Sequence, residues 1–263
     1  MIALLLLLSP SGGSSPDPVT VHQEWSELRP VLVEHSKSTI PELSPAQVKD
    51  LVQGKRLGIR LEQTGEVDGA MGVAFMPLDT EAVWIGGLDD KHAQLAAGLT
   101  EVWLPGTNQE RKILYQHLDV PAPFADRHWV VHIRNNQALF GASEGRMWER
   151  YWELDPRPLE ECLAELPEEP VWLDGETLTT PVNRGSWSVL PVSGGVVVLY
   201  EVHTDIGGPV PEELMVRFAM MSLESFMDKL QELGARAPSH YAEDHFIIRR
   251  PDLSPIQPGS LQQ

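Results

Sequence analysis

Residues 185–234, GSWSVLPVSGGVVVLYEVHTDIGGPVPEELMVRFAMMSLESFMDKLQELG, decide the fold. Trp187 and Val189 alternate with Ser186 and Ser188, the period of two of a strand with one buried face. Ser193-Gly194-Gly195 supplies a turn, and Val196 to Tyr200 is β-branched and apolar enough to be the returning strand of a hairpin. Gly207-Gly208-Pro209 then stops that strand. Pro211-Glu212-Glu213 opens a helix with acids at the positive end of its dipole, and Gly234 is placed to end it. At 1.5 Å per residue, the helix of roughly 24 residues would be ~36 Å long.

Leu214, Met215, Val216, Phe218, Ala219, Met220, Met221 and Leu223 make the first half of this helix apolar nearly all round. The second half thins to a stripe of Phe226, Met227, Leu230 and Leu233. A helix apolar on several sides has to be covered on several sides. Four of the eight Met residues lie between Met215 and Met227, and unbranched thioethers fill irregular spaces well. Two readings stay open here: a helix packed on a sheet as ordinary core, or a helix lining a cavity that accepts an apolar ligand.

The chain of 263 residues is long enough for one large domain with appendages and a substantial core. Its formal charge of −18 disfavours nucleic acid and anionic membrane surfaces as direct partners. Cys162 is the sole cysteine, which rules out an intrachain disulfide, and its setting in Leu159-Glu160-Glu161-Cys162-Leu163 fits a small buried residue. Ile2 to Leu8 is an apolar run followed by Ser- and Gly-rich text, which matches a secretory h-region and cleavage site but lacks a positive n-region. If that leader is real the protein is exported, to a periplasm or the exterior; otherwise it is cytoplasmic. No other stretch approaches the ~20 apolar residues of a membrane span.

We expect residues 1–18 to be signal peptide and linker, 19–54 an N-terminal helical accessory, 55–234 the main domain, and 235–263 a Pro-rich, partly disordered tail. In the accessory, Val21 to His35 reads as a helix interrupted at Pro30, and Ser44-Pro45 opens another. The main domain reads as strands 56–61 and 71–76, a helix capped by Asp79, then strands near 100–104, 111–118, 129–134 and 147–154, and a helix at 159–166. The carboxylates and imidazole of Asp89-Asp90-Lys91-His92 begin a short helix, where serving backbone donors and the dipole is a better explanation than a metal.

Between residues 129 and 134, Trp129, Val131 and Ile133 share one face and are assigned inward, which puts His128 and His132 on the solvent side. Trp148, Arg150 and Trp152 also share a face. If it is inward, a guanidinium between two indoles would anchor a carboxylate or other polar head. If it is outward, Arg150 is one charge in a surface ladder with Glu149 and Glu153, the reading favoured by the cost of burying a charge.

Three further segments carry a resemblance. They are Asp79-Thr80-Glu81-Ala82-Val83-Trp84, the run Pro121-Ala122-Pro123-Phe124-Ala125-Asp126-Arg127-His128-Trp129-Val130, and Gly185-Ser186-Trp187 with Tyr200-Glu201-Val202 leading to Asp205-Ile206-Gly207-Gly208-Pro209-Val210-Pro211. In this order, over about Lys55 to Gly234, they resemble the START-like branch of the helix-grip (SRPBCC, Bet v-like) superfamily. The resemblance implies an α+β helix-grip fold, a curved antiparallel β-sheet wrapped around a long C-terminal α-helix, with a hydrophobic tunnel between them for a lipid, sterol or other apolar ligand. It departs from the family at Arg127-His128-Trp129-Val130, where the family text is Arg-Asp-Phe-Val, and at Ile133, where some sterol binders carry a buried Arg.

The leading expectation is therefore a noncatalytic carrier or sensor of a hydrophobic small molecule, whose mechanism would be burial of apolar ligand area. Its ligand site would comprise Trp129, Val131, Ile133, Trp148, Arg150, Trp152, Leu214, Met215, Phe218 and Met221, with loop Ile206 to Pro211 as hinge. No catalytic residue, metal or cofactor is assigned; the partners expected are a hydrophobic small molecule or lipid and transient membrane contact, for a monomer. The alternatives are an aromatase/cyclase-type enzyme, with Tyr115, His117, Arg150, Tyr200 and Glu201 as acid/base candidates, or an interaction module with a filled core.

Overall fold

The computed structural model describes residues 15–62, 67–89, 98–120, 122, 124–166, 177–208, 212–242 and 245–262; the side chains of 212–219, 221, 222 and 262 lie outside the described set. In chain order the elements are α1 (Pro18–His35), α2 (Pro45–Val52), β1 (Leu57–Leu61), β2 (Gly69–Met76), α3 (Thr80–Leu88), β3 (Leu99–Trp103), β4 (Arg111–Leu118) and β5 (Arg127–Asn135). They continue with α4 (Gln137–Ala142), β6 (Trp148–Leu154), α5 (Leu159–Leu163), β7 (Leu178–Thr179), β8 (Val182–Val192), β9 (Gly195–Asp205) and α6 (Glu212–His240). The strands form one curved sheet in the order β1-β2-β9-β8-β6-β5-β4-β3, antiparallel throughout except for β7, which adds a parallel pair to the start of β5. The fold is thus the START-like helix-grip arrangement, with α6 on the concave side.

How α6 reaches the sheet is set by glycines. Gly58 and Gly72 are register partners on β1 and β2. A Cβ on Gly58 would lie 2.3 Å from Met220 Cε, and one on Gly72 3.3 Å from Met227 Cε. The pair is a trough in the concave face, and α6 is laid in it against β1, β2 and β9. On its other side α6 crosses α3, where a Cβ on Gly86 would lie 2.5 Å from the backbone nitrogen of Gly234. Gly234 therefore serves close approach between helices instead of ending α6, which runs on to His240 through Pro238.

The chain after α6 is ordered into the core as well. Tyr241, Ile248 and Ile256 are buried with α6 and α3, and Tyr241 Oη donates to the Ile256 carbonyl at 2.7 Å. Within the segment expected to be a Pro-rich, partly disordered tail, Ile256 supplies an apolar anchor that composition alone hides among prolines. Pro30 likewise does not interrupt α1, since it sits on the exposed side of an otherwise continuous helix.

On the convex side, Val21, Trp25, Leu28 and Leu32 of α1 pack with Val48 and Leu51 of α2 onto Met71, Val73 and Phe75 of β2 and Leu190, Val197 and Leu199 of the hairpin. The turn after α1 is fastened by two buried carboxylates. Glu149, 0% exposed, accepts from Ser36 Oγ at 2.5 Å, the Lys37 backbone N–H at 3.0 Å and Ser188 Oγ at 3.1 Å, and also from Asn136 Nδ2. Glu201 accepts from the Thr39 N–H at 2.5 Å and from Thr39 Oγ1 at 3.1 Å. Glu149 is therefore no part of a surface ladder; strand parity turns it to the convex face, where neutral donors replace its water.

Two glycine substitutions separate packing from propensity. Gly86→Ala should destabilise the protein by ~1–3 kcal/mol through overpacking at the helix crossing. Gly141→Ala, at an α4 position with nothing within 4 Å, should stabilise it by ~0.5–1 kcal/mol. Urea unfolding midpoints of the two variants check both signs.

Candidate functional site

The register places one row of residues across the concave face: Gly58, Gly72, Tyr200, Trp187, Arg150 and Asn135, on six neighbouring strands. The row rises from no side chain under α6 to bulky ones beside it. Trp152 and Ile133 are partners in the next row, and Trp129 pairs with Gln116, which pairs with Glu101. Because side chains alternate between faces, all these residues face the same side as α6.

The end of this face nearest α3 is filled. Trp84 stands edge-on to Trp148 at 5.4 Å between ring centroids and against Trp187 at 4.9 Å. Trp148 Nε1 donates to the Gly145 carbonyl at 2.7 Å. Trp148 is thus a packed core residue in an aromatic cluster with α3 and the second half of α6.

Farther along the strands, Leu114, Trp129 and Val131 form a separate apolar cluster with Leu118, Ile133, Trp152 and Leu154. It lies on β4, β5 and β6, away from the β1–β2–β9 trough in which α6 rests. Its indoles are satisfied within the wall. Trp129 Nε1 donates to Gln116 Oε1 at 2.7 Å, Gln116 Nε2 donates to Glu101 Oε1 at 2.5 Å, and Trp152 Nε1 donates to Asn183 Oδ1 at 2.8 Å. The wall therefore presents ring faces and aliphatic carbon with no unmet indole donor.

Arg150 is 3% exposed, on this concave face between Trp148 and Trp152, so the outward reading of it does not hold. Parity explains the error: its neighbours Glu149 and Tyr151 take the convex side, and a lone Arg in such a strand is directed by the strand and not by its charge. Tyr200 is half-buried, with its ring 5.4 Å from Trp152 and 4.2 Å from Phe226. Burial, and then the Glu101 carboxylate, raise its pKa well above 10, so it stays a phenol. Leu214, Met215, Phe218 and Met221 are on α6, but their side chains lie outside the described residues.

The other polar candidates face the convex side. Tyr115 Oη is 3.3 Å from His128 Nδ1, His117 Nε2 is 3.2 Å from Asp126 Oδ2, and Glu201 Oε1 is 2.6 Å from His203 Nε2. His128 and His132 are on that side as expected, yet both are buried; His132 Nε2 meets Asp155 Oδ2 at 2.7 Å. Burial, reinforced by His117, lowers the pKa of His128 below the usual 6.5. Burial raises that of Cys162, whose thiol packs with Ile113, Tyr115 and Val130. Asp89 is buried between the Nε2 atoms of His240 and His245, each at 3.1 Å; residues 90–92 of the segment weighed for metal lie outside the described residues. Among the described residues, no group of three or more His, Cys, Asp or Glu side chains could hold a metal ion.

The approach to α6 is held by Arg127. Its Nε donates to the Ile206 carbonyl at 2.5 Å and Nη2 to the Gly207 carbonyl at 3.0 Å, while Nη1 donates to the Ala125 carbonyl. The first residues of the expected hinge are thus tied to β5, and residues 209–211 lie outside the described set. Sequence reasoning found Arg127 only as a motif letter and missed Glu101, Gln116 and Asn183, whose partners are remote in the chain. Two surface cavities, of about 470 Å³ beside Pro77, Pro191 and Ala235 and about 560 Å³ beside Trp25, Arg29 and Leu43, lie off this wall. Among the described residues, no helix is long and apolar enough to cross a membrane.

No family model and no curated relative matches the chain. Among solved structures it is similar to a STAR-related lipid transfer protein (fragment 25–204) from Xanthomonas axonopodis, at TM-score 0.51 and 18% identity, over 68% of this chain and 93% of that one. It is also similar to human STARD10, at TM-score 0.53 and 10% identity, over 89% of this chain and 85% of that one. At these identities the likeness is one of fold. The Zhui aromatase/cyclase from a Streptomyces species overlaps more weakly, at TM-score 0.39 and 10% identity over 70% of this chain and 96% of that one, and no argument rests on it.

Arg127→Lys removes the fork that bonds two successive carbonyls, so amide hydrogen exchange at residues 206–208 should rise and stability fall by ~1–3 kcal/mol. For His128, a lowered folded-state pKa means that stability is full above about pH 6.5 and falls as the pH drops through the folded-state value. In His128→Asn the fall in unfolding free energy on acidification below pH ~6.5 should be shallower than in the parent. Urea titrations at stepped pH read this difference in slope.

Proposed function

We propose that this chain binds a lipid, sterol or other hydrophobic small molecule between the concave wall and α6, as a carrier or sensor that performs no reaction on it. The observation that carries this reading is the apolar wall of Trp129, Val131, Ile133 and Trp152, placed beside the trough that seats α6 and lined with internally satisfied indoles. Each 100 Å² of ligand surface buried there would contribute about 2.5 kcal/mol. The fold neighbour titled as a STAR-related lipid transfer protein supports the same ligand class. A membrane contact would then be transient, at loading and release.

The acid/base candidates weigh against a reaction in this space. Tyr115, His117 and Glu201 lie on the convex face, which leaves Arg150 and Tyr200 on the concave one. Tyr200 is held protonated, and neither is poised to take a proton near neutral pH.

Exposure of the purified full chain to a total lipid extract, followed by native and denaturing mass spectrometry, should recover a stoichiometric lipid. Ile133→Asp, which places a carboxylate on the wall, should lose that lipid while keeping its circular dichroism spectrum. A parent protein that stays empty would sink the proposal in favour of an interaction module with a filled core.

A further inference from the structure

The larger of the two surface cavities, about 560 Å³, runs along α1 and lies off the concave wall. Its lining follows one face of the helix through His22, Trp25, Arg29 and Val33, and Glu42 and Leu43 of the segment before α2 stand opposite. From His22 to Val33 the helix rises ~16 Å at 1.5 Å per residue. Both the length and the volume suit a small molecule.

Two N–H groups of this lining have no acceptor. Trp25 is 2% exposed, and its Nε1 is shielded from water without a hydrogen-bond partner among the described residues. Arg29 Nε, about one helical turn further along the same lining, is in the same condition. Buried donors of this kind cost free energy until an acceptor reaches them. His22 is already committed, with its Nε2 3.0 Å from the Leu43 carbonyl, which only accepts. The lining has one carboxylate of its own, Glu42, whose Oε1 is 3.4 Å from Arg29 Nη2. That pair is loose: the Glu42 side chain is 85% exposed, and a surface pair of this kind contributes little.

We infer that this cavity is a second binding site, specific for a small monocarboxylate with an apolar body. The ligand's carboxylate displaces Glu42 from Arg29 and accepts from Trp25 Nε1 and from Arg29 Nε and Nη2. Two oxygens with about four lone-pair sites suffice for these donors. The body lies against Pro30, Val33 and Leu43, where its apolar area leaves water. An alcohol of the same length brings a single acceptor oxygen and no charge, and an ammonium head brings no acceptor. A doubly charged phosphate head would meet Glu42 and a chain of formal charge −18, with Arg29 as the guanidinium of the lining to offset them. The site is independent of the concave wall, and neither reading stands or falls with the other.

The test follows the indole N–H resonance of Trp25, assigned through the backbone of α1 in the isotope-labelled full chain, while octanoate, octanol or octylamine is titrated in. Octanoate should move the resonance saturably and bind about tenfold more tightly than octanol. Arg29→Gln, at a side chain 34% exposed, should weaken octanoate about tenfold and leave octanol unchanged. Glu42→Gln removes the internal competitor and should tighten octanoate severalfold. A resonance that octanoate does not move, or moves no more readily than octanol or octylamine does, overturns the site. Octanoate binding that Arg29→Gln leaves intact, or that Glu42→Gln fails to tighten, overturns it as well.

Discussion

The depth to which α6 settles on β1 and β2 governs the rest of the concave face. Gly58 and Gly72 leave a gap at one point of a twisted sheet, and Met220 and Met227 enter it. Gly86 and Gly234 do the same for the crossing of α3 and α6. With its methionines seated over Gly58 and Gly72 and its backbone against Gly86 of α3, the helix is fixed at one side of the sheet. The strands on the other side, β4 to β6, carry the larger side chains and curve toward it. The packed end against α3 and the apolar cluster on β4 to β6 are thereby separated along one surface.

The two faces of the sheet handle polarity differently. On the concave side it is spread along rows: an indole to an amide, an amide to a carboxylate, an indole to Asn183. Each link is short and ends toward the rim. On the convex side charge is buried in compact knots, Glu149 among hydroxyls and backbone N–H groups, His132 with Asp155, His203 with Glu201. Charges removed from water are tolerated where several donors converge on them.

The period-two text of the hairpin and of β5 was sufficient to place Trp129, Val131 and Ile133 on one face, because parity survives any error in strand ends. It failed for Arg150, where an argument from the cost of burying charge was set above the parity of Trp148 and Trp152. It also failed for the burial of His128 and His132: a strand pattern tells which face a residue takes, and nothing in the local text says that α5 and β7 cover that face. Gly234 was legible as special but not as a crossing point, since its partner Gly86 lies far away in sequence. Glu101 carried no local signal at all; its placement comes from a hydrogen-bonded chain over three strands.

The fastening of residues 36–39 bears on where this molecule can be cut. Compositional boundaries place a seam before the first strand, yet Glu149 and Glu201 take their donors from the turn beyond that seam. Deleting the helical segment would remove those donors and bare the apolar face formed by Met71, Val73, Phe75, Leu190, Val197 and Leu199, which α1 and α2 cover. A recombinant fragment starting at β1 would therefore present a bare hydrophobic sheet face to water and invite self-association through it.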